Sequence, residues 1–130
     1  MGKLTSYNLP ECDYWVKKVL QDEKGTLIVL DSKQFMVKIL FAGFVYAMLT
    51  ADESGLQKRD YEWVRKFGKD LKWGFFKLSN SKFLDFISDQ TMGIYDDWDL
   101  RHFVVWTQDD SVEIIAHYEP EIEIQEKKLK

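Results

Sequence analysis

The chain carries two histidines, His102 and His117, in segments that flank a polar stretch at residues 109–110. Imidazole suits proton transfer near neutral pH and is the commonest metal ligand. If the flanking segments pair around residues 109–110, the two histidines face each other, and Asp99 or Glu119 could complete a metal site. We favour a surface or satisfied-core role for the histidines, because a hairpin pair of histidines needs no ligand and the sequence has no third histidine and no His-Glu-x-x-His motif. The sequence therefore predicts no metal site.

Acid and base catalysis could also use Asp52 and Glu53, which follow a long hydrophobic segment. The same Asp-Glu-Ser-Gly stretch is typical of an ordinary turn. The single cysteine, Cys12, has no basic neighbour or predicted helix N-terminus to activate it as a nucleophile. Because the sequence also has no phosphate-binding, dinucleotide-binding or nucleophile-elbow motif, we predict no catalytic residue and no cofactor. The alternative is a small enzyme or ligand-binding domain with a site near Asp52, Glu53, His102 and His117.

An acidic loop is the strongest candidate for a binding site. Asp96, Asp97 and Asp99 surround Trp98. Carboxylates this close together repel one another, and they suit contact with a basic surface, which they would steer into place. Trp98 would be the aromatic anchor within this charged rim. The competing interpretation is that Trp98 packs into the core while the aspartates only solvate a turn. We predict that Asp96, Asp97, Trp98 and Asp99 contact a partner protein with a basic surface.

Charge is distributed unevenly along the sequence. The net charge is −4; residues 56–77 carry seven basic and three acidic side chains, and residues 78–130 carry five basic and twelve acidic ones. Nucleic-acid binding requires clustered lysine and arginine, so the acidic C-terminal half argues against nucleic acid as the main partner. Between Lys58 and Lys77 aromatic residues alternate with basic ones, which suits stacking on a single strand, but such a segment is more often a solvated amphipathic helix.

Membrane and secretory segments are not predicted. The longest uncharged apolar stretch, residues 39–51, has thirteen residues, whereas a membrane-spanning helix takes about 20. The N-terminus lacks the apolar segment of a secretory signal, and one cysteine cannot form an internal disulfide. We therefore expect a soluble cytoplasmic protein. The sequence leaves its oligomeric state open.

Hydrophobic patterns predict several strands in the first part of the chain. Residues 26–31 form a continuous run of β-branched residues and leucine, which is typical of a buried strand. Residues 35–51 are too long for one ordinary strand, and we divide them at Ala42 and Gly43, because glycine within a strand pattern indicates a bend. Residues 73–78 also fit a strand.

Two helices are predicted, one before and one after the strand at residues 73–78. Residues 57–72 have apolar residues near one helical face, and Gly68 is expected to shorten that helix. Residues 82–90 carry an apolar stripe and follow residues 79–81, whose side-chain oxygens can cap a helix N-terminus. Residues 14–21 fit either a helix or a strand.

The C-terminal third predicts a β-hairpin. Residues 102–108 and 111–118 are rich in β-branched and aromatic residues, and they flank Asp109 and Asp110, which favour a turn. Pro120 restricts the following segment to an edge strand or an extended tail. Together the elements predict one α+β domain over residues 1–130, a mostly antiparallel sheet of about five to six strands with one or two helices packed on one face. Residues 1–10 and 124–130 are expected to be flexible.

The C-terminal half also resembles a group of small bacterial proteins. The resemblance covers residues 76–120, with the patterns FxLSxSxFLxFI and HFxVxTxDxxxEIIA followed by proline, and an upstream match to ILFAGFVYAMLTADES. Acidic α+β proteins of this size include many immunity proteins of bacterial toxin systems, which act by binding a toxin. The resemblance therefore implies a non-enzymatic protein-interaction domain, with an immunity-like inhibitor as its most concrete form. It implies no catalytic residue.

Overall fold

The computed structural model of the chain describes residues 3–52 and 55–128. Within these residues the chain forms nine β-strands and two α-helices. Their bounds are β1 Leu4–Ser6, β2 Trp15–Asp22, β3 Gly25–Asp31, β4 Phe35–Phe41, β5 Ala47–Asp52, α1 Gln57–Phe67, β6 Gly74–Leu78, α2 Lys82–Gln90, β7 Arg101–Trp106, β8 Asp110–Ala116 and β9 Glu121–Glu126. Short 3₁₀ helices at Gly68–Asp70 and Asp96–Trp98 follow α1 and α2.

The strands form two antiparallel sheets. Among the described residues, one sheet has five strands in the order β1-β6-β7-β8-β5, and the other has four in the order β2-β3-β4-β9. The predicted α+β class and antiparallel pairing are confirmed, but the predicted single sheet of about five to six strands is wrong, because the strands are more numerous and form two sheets. Alternating apolar residues locate strands along a chain, whereas the division into sheets depends on contacts between residues distant in sequence.

The main hydrophobic core lies between the two sheets. Both sheets contribute alternating side chains to it, chiefly Ile28, Leu30, Val37, Ile39 and Phe41 from the four-stranded sheet and Phe75, Phe103, Val105, Val112 and Ile114 from the five-stranded sheet. Because successive strand residues point to opposite faces, the intervening residues of β6, β7 and β8 point away from this core.

The two helices cover that outer face of the five-stranded sheet. A second apolar cluster lies there and consists of Trp63 from α1 with Phe76, Leu78, Val104 and Trp106 from the sheet. Helix α2 lies over the same face, where its Phe83 ring contacts the His102 ring with the centroids 5.2 Å apart. The prediction that the helices pack on one face is confirmed, and the molecule has three layers.

Helix α2 spans the predicted residues 82–90, and α1 covers residues 57–67 of the predicted 57–72. Helix α1 ends at Gly68, whose φ of 54° lies in the left-handed region that favours glycine. Helix α2 begins after Ser81, whose hydroxyl oxygen accepts a hydrogen bond of 3.1 Å from the Leu84 amide. Such a cap satisfies one of the backbone donors that a helix leaves without a partner at its first turn. Residues 14–21, which the sequence left open, belong to strand β2.

Strands β7 and β8 form the predicted hairpin in a different register. The Thr107 amide donates to the Asp110 carbonyl at 2.9 Å, so the turn lies one residue nearer the N-terminus than predicted. The pairing shifts with it, and His102 faces Ile115 instead of His117. The predicted cross-strand pair of histidines is therefore wrong. The Thr107 hydroxyl donates to the Asp110 carboxylate at 2.5 Å, a local bond that favours this turn.

The segment after Pro120 forms the edge strand β9, which pairs with β4, as predicted. Strand β1 lies within residues 1–10, and the second half of β9, residues 124–126, lies within residues 124–130. The flexibility of those two segments stays a prediction. None of the helices in residues 3–52 and 55–128 is long and apolar enough to cross a membrane.

Candidate functional site

His102 lies in the centre of a buried polar network on the outer face of the five-stranded sheet. Its side chain is 1% exposed, and both ring nitrogens have partners. Nδ1 lies 2.7 Å from the Ser81 hydroxyl oxygen, and Nε2 lies 2.7 Å from Oε1 of Glu113. Because an ionised carboxylate only accepts, Nε2 donates to Glu113, and Nδ1 forms the second hydrogen bond of the ring with the Ser81 hydroxyl. Strand β7 thus links α2 to strand β8.

Glu113 extends this network to helix α1. Its side chain is 1% exposed, and its second carboxylate oxygen accepts a hydrogen bond from Arg59. The Arg59 guanidinium carbon lies 4.1 Å from the centroid of the Trp63 ring, so the arginine both pairs with Glu113 and stacks on an aromatic face. A buried carboxylate is costly unless it is paired, and Arg59 and His102 together satisfy that requirement. We call Arg59, Ser81, His102 and Glu113 the buried network.

The order of serine, histidine and glutamate in this network resembles that of a nucleophilic triad. However, the Ser81 hydroxyl oxygen also accepts a hydrogen bond from the Leu84 amide and so caps helix α2. The rings of Trp63 and Phe83 lie beside His102, with centroids 6.0 and 5.2 Å from that of the imidazole. Each polar group is therefore engaged within the protein. The geometry supports a structural role that holds both helices to the sheet.

The structure places the other candidate catalytic residues apart. Asp52 ends β5 and lines a recess of about 200 Å³ together with Asp60 and Asp110. Along the β5–β8 ladder Asp52 faces Asp110, whereas Ala47, at the other end of β5, faces Ile115. At about 3.3 Å per residue, the ends of this ladder are roughly 17 Å apart. Asp52 and His117 consequently do not share a site, and Glu53 lies outside the described residues.

His117 belongs to a different cluster, at the surface. Its ring contacts those of Tyr46 and Trp98, with centroid distances of 5.6 and 5.8 Å. Tyr95 contacts Tyr46 at 4.8 Å and Trp98 at 6.1 Å, and Phe44 contacts Tyr46 at 4.9 Å. The interplanar angles lie between 66° and 90°, so the rings meet edge to face, which is a favourable geometry for aromatic pairs. We call these five residues the aromatic surface.

Three segments bring the aromatic surface together. Phe44 and Tyr46 precede β5, and His117 follows β8, so the pairing of these two strands sets one half of it. The Tyr46 hydroxyl lies 3.1 Å from Nδ1 of His117. Tyr95 and Trp98 come from the turn after α2, where Ser88 donates to the Asp96 carboxylate at 2.7 Å and fixes the returning chain.

The aromatic surface remains accessible to solvent. Phe44 is 66% exposed and Trp98 is 51% exposed, although both are large apolar side chains. Met92 and Ile94, in the same turn as Trp98, are also exposed. Single exposed apolar side chains are normal, but a contiguous group of them marks an interaction surface. Trp98 rests on Tyr95 and is not part of either buried cluster.

The predicted partner-binding residues lie at this surface. Asp96, Asp97 and Asp99 are exposed, and Trp98 lies among them. Asp99 pairs with Arg101, whose guanidinium lies 3.1 Å from its carboxylate, and Asp96 accepts from Ser88. Two of the three carboxylates thus have a local partner, which reduces the repulsion inferred from the sequence. Binding by these four residues stays a prediction.

A charged cluster around Glu119 contacts the acidic loop of residues 96–99 through Arg101. Glu119 accepts hydrogen bonds from Tyr7 at 2.6 Å, from Lys77 at 3.0 Å and from Arg101 at 3.0 Å. Burial raises the pKa of Glu119, but these hydrogen bonds and the positive charges outweigh burial and hold it below its ordinary value. Burial and the bond to Glu119 raise the pKa of Tyr7, so its hydroxyl keeps the proton that it donates. Arg101 connects this cluster to Asp99.

Sequence reasoning missed the partners of His102. The available signal was Glu113, a charged residue inside the apolar segment SVEIIA, because a carboxylate in a strand with buried neighbours requires a cation or a donor. Arg59 could not be assigned to Glu113, nor Ser81 to His102, since these partners lie 54 and 21 positions apart along the chain. Phe44, Tyr46 and Tyr95 carried no sequence signal that linked them to Trp98.

Comparison of the chain with models of protein families, with curated proteins and with solved structures finds no match. In residues 3–52 and 55–128, no group of three or more histidine, cysteine, aspartate or glutamate side chains is placed to hold a metal ion.

Proposed function

We propose that this protein is a non-enzymatic protein-interaction domain whose contact site is the aromatic surface together with Asp96, Asp97 and Asp99. The observation that carries the proposal is the exposure of a connected group of aromatic rings bordered by carboxylates. Tryptophan and tyrosine dominate binding energy at interfaces, where they act as anchors inside a polar rim. Trp98, half exposed and adjacent to Tyr95, has the position of such an anchor.

The charge of the site favours a partner with a basic surface. Asp96, Asp97 and Asp99 are exposed around Trp98, and the protein has a net charge of −4. Complementary charge increases the association rate and suppresses wrong partners. This attraction weakens as salt is added, because exposed charges are screened over about 8 Å at physiological ionic strength.

An immunity-like inhibitor that binds a basic bacterial toxin is the most concrete form of this proposal. It is supported by the size and acidity of the chain, by the α+β fold and by the resemblance of residues 76–120 to small bacterial proteins. Such an inhibitor would act in the cytoplasm by covering the toxin. It would need no catalytic residue or cofactor of its own.

Affinity capture from the producing cell tests the proposal. The bait is the wild-type protein, and Trp98→Ala is the variant, which we expect to lose the captured partner because an anchor side chain contributes about 2 kcal/mol or more. Trp73→Ala is the matched control, since Trp73 is also exposed, at 56%, but lies beside Trp106, away from the aromatic surface. Equal recovery of the partner by Trp98→Ala and the control would contradict the proposal.

A charge-reversal pair tests the acidic part of the site. Asp96→Lys with Asp97→Lys is expected to slow association with the captured partner at low salt. Glu121→Lys with Glu123→Lys changes the charge equally on β9, in the other sheet, and is expected to leave the rate almost unchanged. If both double variants slow association equally, only net charge matters and the acidic loop is not the contact.

A further inference from the structure

The four edge strands of the two sheets differ in how they are protected against pairing with another strand. In the described residues these edges are β1 and β5 in one sheet and β2 and β9 in the other. An unprotected edge presents unpaired backbone donors and acceptors that another strand can use. Short length, lysine, charged side chains, proline and bulges are the usual protections.

Three of the edges carry such protection. Strand β1 has only three residues. Strand β2 carries Lys17 and Lys18 and has an irregular register between Val16 and Lys18. Strand β9 follows Pro120 and carries glutamates along its length. Each of these edges is therefore a poor template for an added strand.

Strand β5 lacks most of these protections, because its single charged residue is Asp52, at its last position. Its residues 47–51, Ala-Met-Leu-Thr-Ala, are uncharged and contain no proline. Its pairing with β8 is continuous over six residue pairs, without a bulge. Met48 and Leu49 are 39% and 37% exposed, so an apolar side chain on each face of this strand is partly accessible to solvent. Tyr46 of the aromatic surface directly precedes the strand.

We infer that the outer edge of β5 binds an extended basic segment of the partner as an additional antiparallel or parallel strand. This inference rests on the proposed function and extends it from the aromatic surface to the neighbouring edge. In strand addition, backbone hydrogen bonds supply affinity and alternating side chains supply specificity. Met48 and Leu49 would contact apolar side chains of the added strand.

Charge complementarity identifies the occupant. Carboxylates lie near both ends of the strand, with Asp110 opposite its last residue and Asp96, Asp97 and Asp99 beside the aromatic surface at the other end. A segment with lysine or arginine would find acidic residues at each end. A second copy of this chain would instead bring together two molecules of net charge −4 and their acidic loops.

Amide hydrogen exchange measured by NMR on the full chain tests the inference. The probe is a peptide of about ten residues that alternates lysine and valine, and a glutamate–valine peptide is its control. We expect the lysine peptide to slow exchange at outward amides of residues 47–52 by about tenfold or more, because new backbone bonds protect them. The amides of β1, β2 and β9 should not change. No protection in β5, or equal protection by the glutamate peptide, would overturn the inference.

Two matched variants test the same edge. Thr50→Lys places an edge-protecting charge in the middle of β5, at an exposed polar position, and should weaken binding of the lysine peptide by about tenfold. Gln125→Lys makes the same charge change at an exposed position on β9 and should leave binding within about twofold. Equal effects of both variants would overturn the inference. If Thr50→Lys folds poorly, the amide exchange of the wild-type protein with the two peptides still tests the inference.

The outcomes separate the two proposals. If Trp98→Ala loses the captured partner while β5 amides stay unprotected, the aromatic surface is the contact and strand addition is wrong. If the peptide protects the β5 amides from exchange while Trp98→Ala captures the partner normally, the β5 edge binds and the assignment of Trp98 as an anchor is wrong. Protection of β5 that rises with protein concentration, without peptide, would identify a second copy as the occupant and overturn the inference.

Discussion

The two histidines of this protein stand in two contrasting regions. His102 lies in the buried network, where both ring nitrogens have partners and Trp63 and Phe83 cover the ring. His117 lies on the aromatic surface, where it is exposed and contacts Tyr46. The same residue type, with aromatic neighbours in both cases, is thus internal support in one region and part of an open surface in the other.

Burial and hydrogen-bond satisfaction distinguish the two regions. In the buried network each polar group is paired, so the network has little capacity left for an external ligand. On the aromatic surface the rings contact one another but remain open to solvent, so a partner could still cover apolar area. Residue type alone suggested chemistry at both histidines. Their surroundings give His102 a structural role and leave His117 accessible for the proposed contact.

The largest expected effect comes from breaking the buried network. Glu113→Ala removes the acceptor of His102 and the partner of Arg59 and leaves both donors facing a cavity. We expect a loss of about 3 to 5 kcal/mol in the free energy of unfolding, the range for removing one partner of a buried ion pair. Urea unfolding measures it. Glu123→Ala, at an exposed position in β9, is the control and should change stability by less than about 0.5 kcal/mol.

A pair of tryptophan variants sharpens the comparison. Trp63 is 8% exposed and packs in the cluster beneath α1, whereas Trp98 is 51% exposed. Trp63→Ala should lower the free energy of unfolding by about 3 kcal/mol or more because it leaves a cavity. Trp98→Ala removes two edge-to-face contacts of a half-exposed ring and should cost about 1 to 2 kcal/mol. If thermal or urea unfolding shows equal losses, Trp98 is a core residue and the binding interpretation fails.

The smallest expected effect is a pH dependence at Glu119, below the acidic loop. Its pKa is lowered from the ordinary value of 4.5, so its contribution to stability is present above that pH and is lost as the pH falls through the lowered value. Glu119→Gln should therefore lower the thermal midpoint near neutral pH, and the difference from wild type should shrink below pH 4.5. Tyr7→Phe, which removes one hydrogen bond to Glu119, should act in the same direction. A difference that grows in acid would contradict this assignment.

Several local features of the fold were predictable from the sequence. Gly68 ended the first helix, Ser81 capped the second, and Ala42 and Gly43 divided the long apolar segment into two strands. Each of these depends on the conformational preference of one or two residues, which acts over a few positions. The hairpin of β7 and β8 was also predictable, but its register was not, because a turn displaced by one residue changes each cross-strand pair.

The sequence by itself determined the helices, most strands and the concentration of acidic residues around Trp98, since neighbouring residues encode these features. Only the tertiary structure decided that the strands form two sheets, that Arg59 and Ser81 meet His102 and Glu113, and that Phe44 and Tyr46 meet Tyr95 and Trp98. It also decided that β5 ends a sheet. These contacts join residues far apart in the chain, and their selection depends on the packing of the whole domain rather than on any local preference.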